Sequence, residues 1–273
     1  MNKTDLSPDP AITEADPGLA GWDDPLASLR RALDLDELQI YCQPILSLQA
    51  SAERYPMAEV LVRLREEEES LLPPGDFLPV FEHYRMMTDL DCWVVQKTVE
   101  WIAEARPDSI RSYSVNVSSQ SLDDAKLPDF ASGTLHRCGV NPVQLCFEID
   151  EVDTLQRAEA AERFARAIRL IGCKVIIDGF ARRSVSFSAL KALQPEYVKV
   201  DGAVVRKIAS SSVAQLKLKA IARVCAVAGI GIIAECVEEQ HIVTQLTQMS
   251  VDYAQGFGIA VPQPIAIGAF PPA

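Results

Sequence analysis

Residues 174–180 read Lys-Val-Ile-Ile-Asp-Gly-Phe, an apolar run closed by one carboxylate, Asp178, with a glycine directly after it. The same form recurs along the chain. Strand-like apolar runs end on or near Glu59 (MAEVLVRL), Asn116 (YSVNVS), Glu148 (QLCFEID), Lys199 (YVKVDG), Glu235 (GIIAECVE) and Gln255 (DYAQGFG). Buried strands do not tolerate carboxylates, amides or ammonium groups without partners. One such group at the corresponding place in run after run implies a shared site, where the groups partner one another or bind a metal. Any single one could equally be a solvated loop residue or half of a structural ion pair. A whole register of them is harder to dismiss.

Working outward from that run, helical and strand patterns alternate without a long linker. The strand-like runs are LQIYCQPILSL, MAEVLVRL, SYSVNVS, QLCFEID, KVIIDGF, YVKVDGAVV, GIIAECV and DYAQGFGIA. Between them lie stretches such as LDCWVVQKTVEWIAEA and AEAAERFARAIRLIG, whose apolar residues recur at steps of three and four, as on one face of a helix. Continuous apolar strands alternating with helices indicate an α/β protein with a parallel sheet. Eight strands fit a closed (β/α)8 barrel of the TIM type better than an open sheet, and such barrels carry their sites at the C-terminal strand ends. Residues 1–24, rich in Pro, Asp and Gly and without periodicity, read as a flexible tail, which leaves 25–273 as the barrel domain. The run Glu66-Glu67-Glu68-Glu69 reads as a solvated loop after the second strand.

Composition narrows the function. With 273 residues and 48% hydrophobic content the chain can bury one large core. Its net charge of −12 argues against sequence-independent nucleic-acid binding, which needs clustered Lys and Arg. The seven cysteines are scattered, without a CxxC pair, as expected of a reduced, cytoplasmic protein. No run approaches the length of a membrane span.

Glu59, Asn116, Glu148 and Asp178 are hard oxygen donors, with no histidine or cysteine among them, and this selects Mg²⁺, Mn²⁺ or Ca²⁺ over zinc. Lys199 brings a cation among the acids. Arg63 lies four residues after Glu59 on one strand and so on the same face, and its guanidinium suits a phosphate. Acids, amide, lysine and arginine together point to hydrolysis or binding of a phosphodiester.

Ordered motifs then identify a relationship. Gln43-Pro44-Ile45, Glu59-Val60-Leu61-Val62-Arg63, Phe77-Leu78-Pro79, Leu90-Asp91-Cys92-Trp93, Asn116-Val117-Ser118, Glu148-Ile149-Asp150-Glu151, Lys199-Val200-Asp201, Ala234-Glu235-Cys236-Val237-Glu238 and Gln255-Gly256-Phe257 follow one another over about residues 25–265. On these the chain resembles the EAL domain family of cyclic di-GMP phosphodiesterases, which fold as modified β/α barrels. The resemblance implies that Glu59, Asn116, Glu148 and Asp178 hold a first Mg²⁺ or Mn²⁺, and that Glu235 and Asp178 help to hold a second. It makes Glu59, Lys199 and Glu235 the catalytic set, with Lys199 steadying the attacking water. Gln43, Leu61, Arg63, Asp91 and Gln255 would contact the nucleotide, and Glu238 would anchor the loop after the strand that closes on Asp178. A homodimer near that loop is also implied.

The chain departs from the family in that loop. The usual Asp-Asp-Phe-Gly-Thr-Gly stands here as Asp178-Gly179-Phe180-Ala181-Arg182-Arg183. Gly179 replaces a ligand of the second cation, and Ala181 and Arg183 replace two glycines, which changes the backbone freedom of the loop. A two-metal hydrolysis needs both ions to stabilise the entering and leaving oxygens. Arg182 or Arg183 could stand in for the missing cation by pairing with Asp178 or by touching a phosphate. Three readings follow. The first is a receptor that binds cyclic di-GMP with little or no hydrolysis and signals through a protein partner. The second is a slow metal-dependent phosphodiesterase giving pGpG. The third is an interaction module that has lost the nucleotide. The intact nucleotide-contacting motifs and the altered loop place the receptor first.

Overall fold

A computed structural model of the chain describes residues 22, 24–35, 37–49, 53–67, 70–106, 110–183 and 187–265. Apart from Trp22 and Asp24, the expected N-terminal tail lies outside the described residues, as does 266–273. Among the described residues ten strands form one sheet: β1 (Leu38–Ser47), β2 (Met57–Glu67), β3 (Ser70–Leu72), β4 (Ser112–Val117), β5 (Leu145–Asp150), β6 (Lys174–Phe180), β7 (Tyr197–Val200), β8 (Gly231–Ala234), β9 (Tyr253–Ala254) and β10 (Gln263–Pro264). Eight of them close a barrel in the order β1-β9-β8-β7-β6-β5-β4-β2, with β2 pairing back onto β1. β3 and β10 extend β2 and β1 outside the ring.

The barrel was legible in the sequence, but three local features differ from the expectation. β1 runs antiparallel to both β2 and β9, while the other neighbours in the ring are parallel. The acidic run is not simply a loop: β2 continues through Glu67 and turns back into β3, so Glu66 and Glu67 lie in a strand. The run YVKVDGAVV stops being a strand at Val200, because the carboxylate of Asp201 accepts from the N–H of Ala203 and caps the short helix Gly202–Val205.

Period-two alternation sorts the side chains into two layers. Outward-facing residues such as Val115, Phe147, Ile149, Val175, Ile177 and Val198 pack beneath the surrounding helices in one large core. A smaller core of Leu29, Leu64, Phe77, Phe81 and Leu90 seals the end of the β2–β3 hairpin. Inside the ring, Ile45, Met57 and Ile233 form a separate apolar plug, flanked by Tyr197 and Tyr253. Gln43, Glu59, Lys199, Glu235 and Gln255 each lie two residues along their strands from a member of that set and therefore share its face. The polar side chains thus stand one layer above a dry floor, at the mouth of the barrel.

Glycine is required where β9 ends. The N–H of Val237 donates to the carbonyl of Gln255 at 2.9 Å, and the N–H of Gly258 donates to the carbonyl of Val237 at 3.0 Å. A Cβ on Gly256 would come within 2.2 Å of the Val237 carbonyl oxygen and 2.3 Å of its nitrogen, both backbone atoms with no freedom to retreat. We expect Gly256→Ala to cost about 2 kcal/mol, the scale of overpacking in a tight interior. A urea midpoint equal to that of the parent protein would contradict this close approach.

Candidate active site

The mouth of the barrel is organised around Lys199, whose side chain is 1% exposed. Its Nζ donates to Glu59 Oε2 at 2.8 Å and to Glu148 Oε2 at 2.9 Å. Asp178 and Glu235 stand at 3.7 and 3.5 Å from the same nitrogen. Glu59 collects two further bonds, from Asn116 Nδ2 at 3.0 Å and from Gln255 Nε2 at 2.7 Å. Gln255 also donates to Gln43 Oε1 at 3.1 Å, and Gln43 donates to the carbonyl of Ala260 at 2.8 Å. Strand register explains the convergence: Gln43 is opposite Glu59 and Asn116 is beside Glu148, so neighbouring strands bring their polar residues to one level.

Charge within the cluster is unevenly shared. Burial pushes Glu148 up to about 8, reinforced by the nearby Glu59 carboxylate and opposed by Lys199. Burial likewise holds Glu235 well above the usual carboxylate range. Burial also opposes ionisation of Glu59, but Lys199 and the hydrogen bonds from Asn116 and Gln255 outweigh it, so this carboxyl lies below its ordinary value. Burial disfavours the charged form of Lys199, yet the surrounding acids win and raise it well above a normal lysine. The ion-paired heart of the site is Lys199 with Glu59, and the other acids compete for what remains.

Among the described residues no three His, Cys, Asp or Glu side chains form a ready-made metal cage, because the ammonium of Lys199 stands at the focus of the carboxylates. Two buried carboxylate oxygens, Glu148 Oε1 and Asp178 Oδ1, nonetheless lack a hydrogen-bond partner among the described residues, as does the amide oxygen of Gln255. Orphaned buried acceptors are costly, and a cation would relieve them. These all-oxygen donors fit a hard divalent ion such as Mg²⁺ or Mn²⁺.

The loop after β6 is held differently from the expectation. β6 carries an extra residue relative to β7, with pairs Ile177–Val198 and Phe180–Val200. Gly179 and Ala181 both adopt left-handed backbone conformations, φ +63° and +70°. Alanine thus takes a left-handed conformation where the resemblance expects a glycine, and it is held there from both sides. The N–H of Ala181 donates to Glu151 Oε1 at 2.9 Å, the N–H of Arg183 to Glu151 Oε2 at 3.4 Å, and Lys217 Nζ donates to the Ala181 carbonyl. Glu151, 1% exposed, is the carboxylate that grips the loop. Glu238, expected in that role, is exposed and makes no side-chain hydrogen bond or ion pair among the described residues.

Five other expected residues lie apart from the Lys199 cluster. Arg63 sits further along β2, with its guanidinium 5.6 Å from the Tyr41 ring and one N–H donated to the Val62 carbonyl. Leu61 is half-buried between Glu59 and Arg63, opposite Tyr41. Asp91 is buried, and its Oδ2 accepts from the Ser118 N–H at 2.9 Å and from the Ser118 and Ser121 hydroxyls, each at 2.7 Å. Those three donors make it a support for the turn after β4. Arg182 does not reach for Asp178: it pairs with Asp150 and Asp201, the carboxylates that end β5 and follow β7. The Arg183 side chain is exposed, and only its backbone N–H has a described partner.

The chain is thus a closed eight-stranded β/α barrel with carboxylates, amides and a buried lysine gathered at its mouth. The EAL domain sequence profile matches residues 26–262, and the chain belongs to the EAL domain family. It is 31% identical over 239 residues to cyclic di-GMP phosphodiesterase PdeB of Shewanella oneidensis, covering 87% of this chain and 28% of the relative. Cyclic di-GMP phosphodiesterase PdeF of Escherichia coli is 29% identical over 241 residues, 87% of this chain and 31% of its own. The chain thus spans about a third or less of the length of these relatives. Among solved structures, the FimX EAL domain from Pseudomonas aeruginosa bound to c-di-GMP superposes with a TM-score of 0.81 at 26% identity, covering 88% of this chain and 96% of that one. The PaMucR phosphodiesterase in its c-di-GMP complex gives 0.80 at 25%, with 88% and 97% covered. No helix among the described residues is long and apolar enough to cross a membrane.

The raised Glu148 predicts how stability responds to pH in chelator-treated protein. Glu148 keeps its proton in the folded state up to about 8, whereas an ordinary Glu loses it near 4.5. Its contribution is complete below the lower value and is lost as pH rises through the upper one. We expect the urea midpoint to fall between about pH 5 and 8, and Glu148→Gln, which mimics the protonated form, to flatten that fall. Equal slopes for parent and variant would show that Glu148 does not govern it.

Proposed function

We propose that this chain is a receptor for cyclic di-GMP: it binds the dinucleotide at the barrel mouth, hydrolyses it little or not at all, and passes the signal to a protein partner. The observation that carries this reading is Gly179. The nucleotide-handling positions Gln43, Arg63 and Gln255 are intact, whereas the acid that would complete a second cation site is a glycine. Two similar EAL structures hold c-di-GMP, which supports the same ligand here. One Mg²⁺ or Mn²⁺ held by Glu59, Asn116, Glu148 and Asp178 would neutralise a phosphate and satisfy the two orphaned oxygens, while Glu235 and Asp178 alone make a poor second site. With only one ion, the leaving oxygen lacks the stabilisation that a two-metal displacement relies on.

A second reading, slow hydrolysis to pGpG, draws on Lys199. Its ammonium is fixed among the acids where it could orient a water, and two relatives are named cyclic di-GMP phosphodiesterases. The two readings separate in one experiment. Calorimetric titration with cyclic di-GMP, with and without Mg²⁺, should give one saturable site, and the nucleotide should remain intact over hours with Mn²⁺. Arg63→Ala should weaken binding about ten-fold or more, the loss of one charge-assisted phosphate contact. Steady release of pGpG would favour the enzyme, and absence of binding heat in both buffers would defeat both readings.

A further inference from the structure

The ends of β5, β6 and β7 meet under the side chain of Arg182. Its Nε donates to Asp201 Oδ2 at 2.7 Å and its Nη1 to Asp150 Oδ2 at 3.0 Å. Each aspartate spends its other oxygen on a helix cap. Asp150 Oδ1 accepts from the Val152 N–H at 2.6 Å, and Asp201 Oδ1 accepts from the Ala203 N–H at 2.8 Å. The backbone of Arg182 is fixed as well, since its N–H donates to the Gly179 carbonyl at 3.1 Å across a tight turn. Both carboxylates are thus oriented before they meet the guanidinium, and its planar fork joins the residue that ends β5 to the one that follows β7.

The guanidinium also lies directly against Gly179. A Cβ placed there would be 2.4 Å from Nη2, 2.8 Å from Cζ and 3.2 Å from Nε. A φ of +63° strains any side chain at this position, aspartate and asparagine least among them. Arg182 adds a steric obstacle: a side chain at 179 and the guanidinium in its present place exclude each other, and moving the guanidinium means giving up its pairs with Asp150 and Asp201.

We propose that Gly179 and Arg182 are one coupled substitution, in which the guanidinium takes over the space beside residue 179 and serves as a built-in cation that ties the loop to β5 and β7 without a second divalent ion. The inference rests on the one-ion reading above and deepens it. Restoring an acid at 179 is then insufficient to rebuild a second cation site. The new carboxylate would meet a fixed positive charge and pair with it, or displace it and release the loop. Only removal of the guanidinium together with restoration of the acid frees oxygen donors for a metal.

The test counts ions on the full chain in the absence of nucleotide, by Mn²⁺ titration with electron paramagnetic resonance of free Mn²⁺. Parent protein, Gly179→Asp, Arg182→Thr and the double variant are compared. The double variant should bind one Mn²⁺ more than the parent, whereas Gly179→Asp alone should bind no more than the parent does. Limited proteolysis supplies a second readout: Arg182→Thr should be cut after β6 about ten-fold faster than the parent, because fewer contacts hold the loop closed. Arg182→Gln, which keeps a shorter donor, should fall between them and serves if the threonine variant does not fold. An extra ion on Gly179→Asp alone, no extra ion on the double variant, or parental cleavage rates in both Arg182 variants would overturn the coupling. Because no nucleotide is present, these outcomes are distinct from failure of cyclic di-GMP binding, which the calorimetric titration of the parent protein reports separately.

Discussion

A buried ammonium sets the terms for everything at the mouth of this barrel. Lys199 is surrounded by apolar strands, and an unpaired charge there would cost more than the fold could sustain. Glu59 and Glu148 answer it from β2 and β5, with Asp178 and Glu235 close behind from β6 and the end of β8. Four acids around one lysine exceed what one positive charge can neutralise. The surplus resolves by shifts in protonation: Glu59 is favoured as the ionised partner, while Glu148 and Glu235 are driven toward the neutral acid. A divalent ion would reverse that balance by supplying the charge that is lacking. The cluster is therefore both a structural knot joining separate strands and an electrostatic device that gains from a cation.

Much of this was legible in the sequence because a barrel writes its interior with period two. Polar residues at the ends of apolar runs identified Glu59, Asn116, Glu148, Asp178, Lys199, Glu235 and Gln255, and the structure brings these side chains to one level. Strand direction was not legible. An antiparallel β1 has the same alternation as a parallel one, and only the short connection between β1 and β2 hints that no crossover helix fits there. Asp91 and Glu151 were also beyond reach, for a related reason. Both were visible within motifs, but their work is to accept backbone N–H groups from distant turns, and such bonds leave no pattern in composition or spacing.

Arg182 shows most plainly what pattern reading misses. Beside a lost acid, a gained arginine invites the idea that it replaces the metal at Asp178. The folded chain instead offers it two better partners, each an aspartate already committed to capping a helix and so held in place at no further entropic cost. Asp178 is left with its own orphaned oxygen and the more distant Lys199. The positive charge added to the loop neutralises the rim of the site and not its centre.

This division has a consequence for binding and turnover. The central acids, Lys199 and the amides are mutually satisfied by a network in which most members have at least one partner without any ligand present. Such a pre-formed surface asks little reorganisation of a dinucleotide, and pre-organisation favours binding. Turnover demands more: charge must be stabilised where it develops on both the entering and the leaving oxygen. A guanidinium anchored to Asp150 and Asp201 cannot follow that charge as a labile divalent ion can, since moving it would break two charge-assisted bonds that hold the loop. In the proposed receptor, the interactions that keep the rim of the barrel ordered without a second ion are thus the same ones that would separate recognition of the phosphodiester from its cleavage.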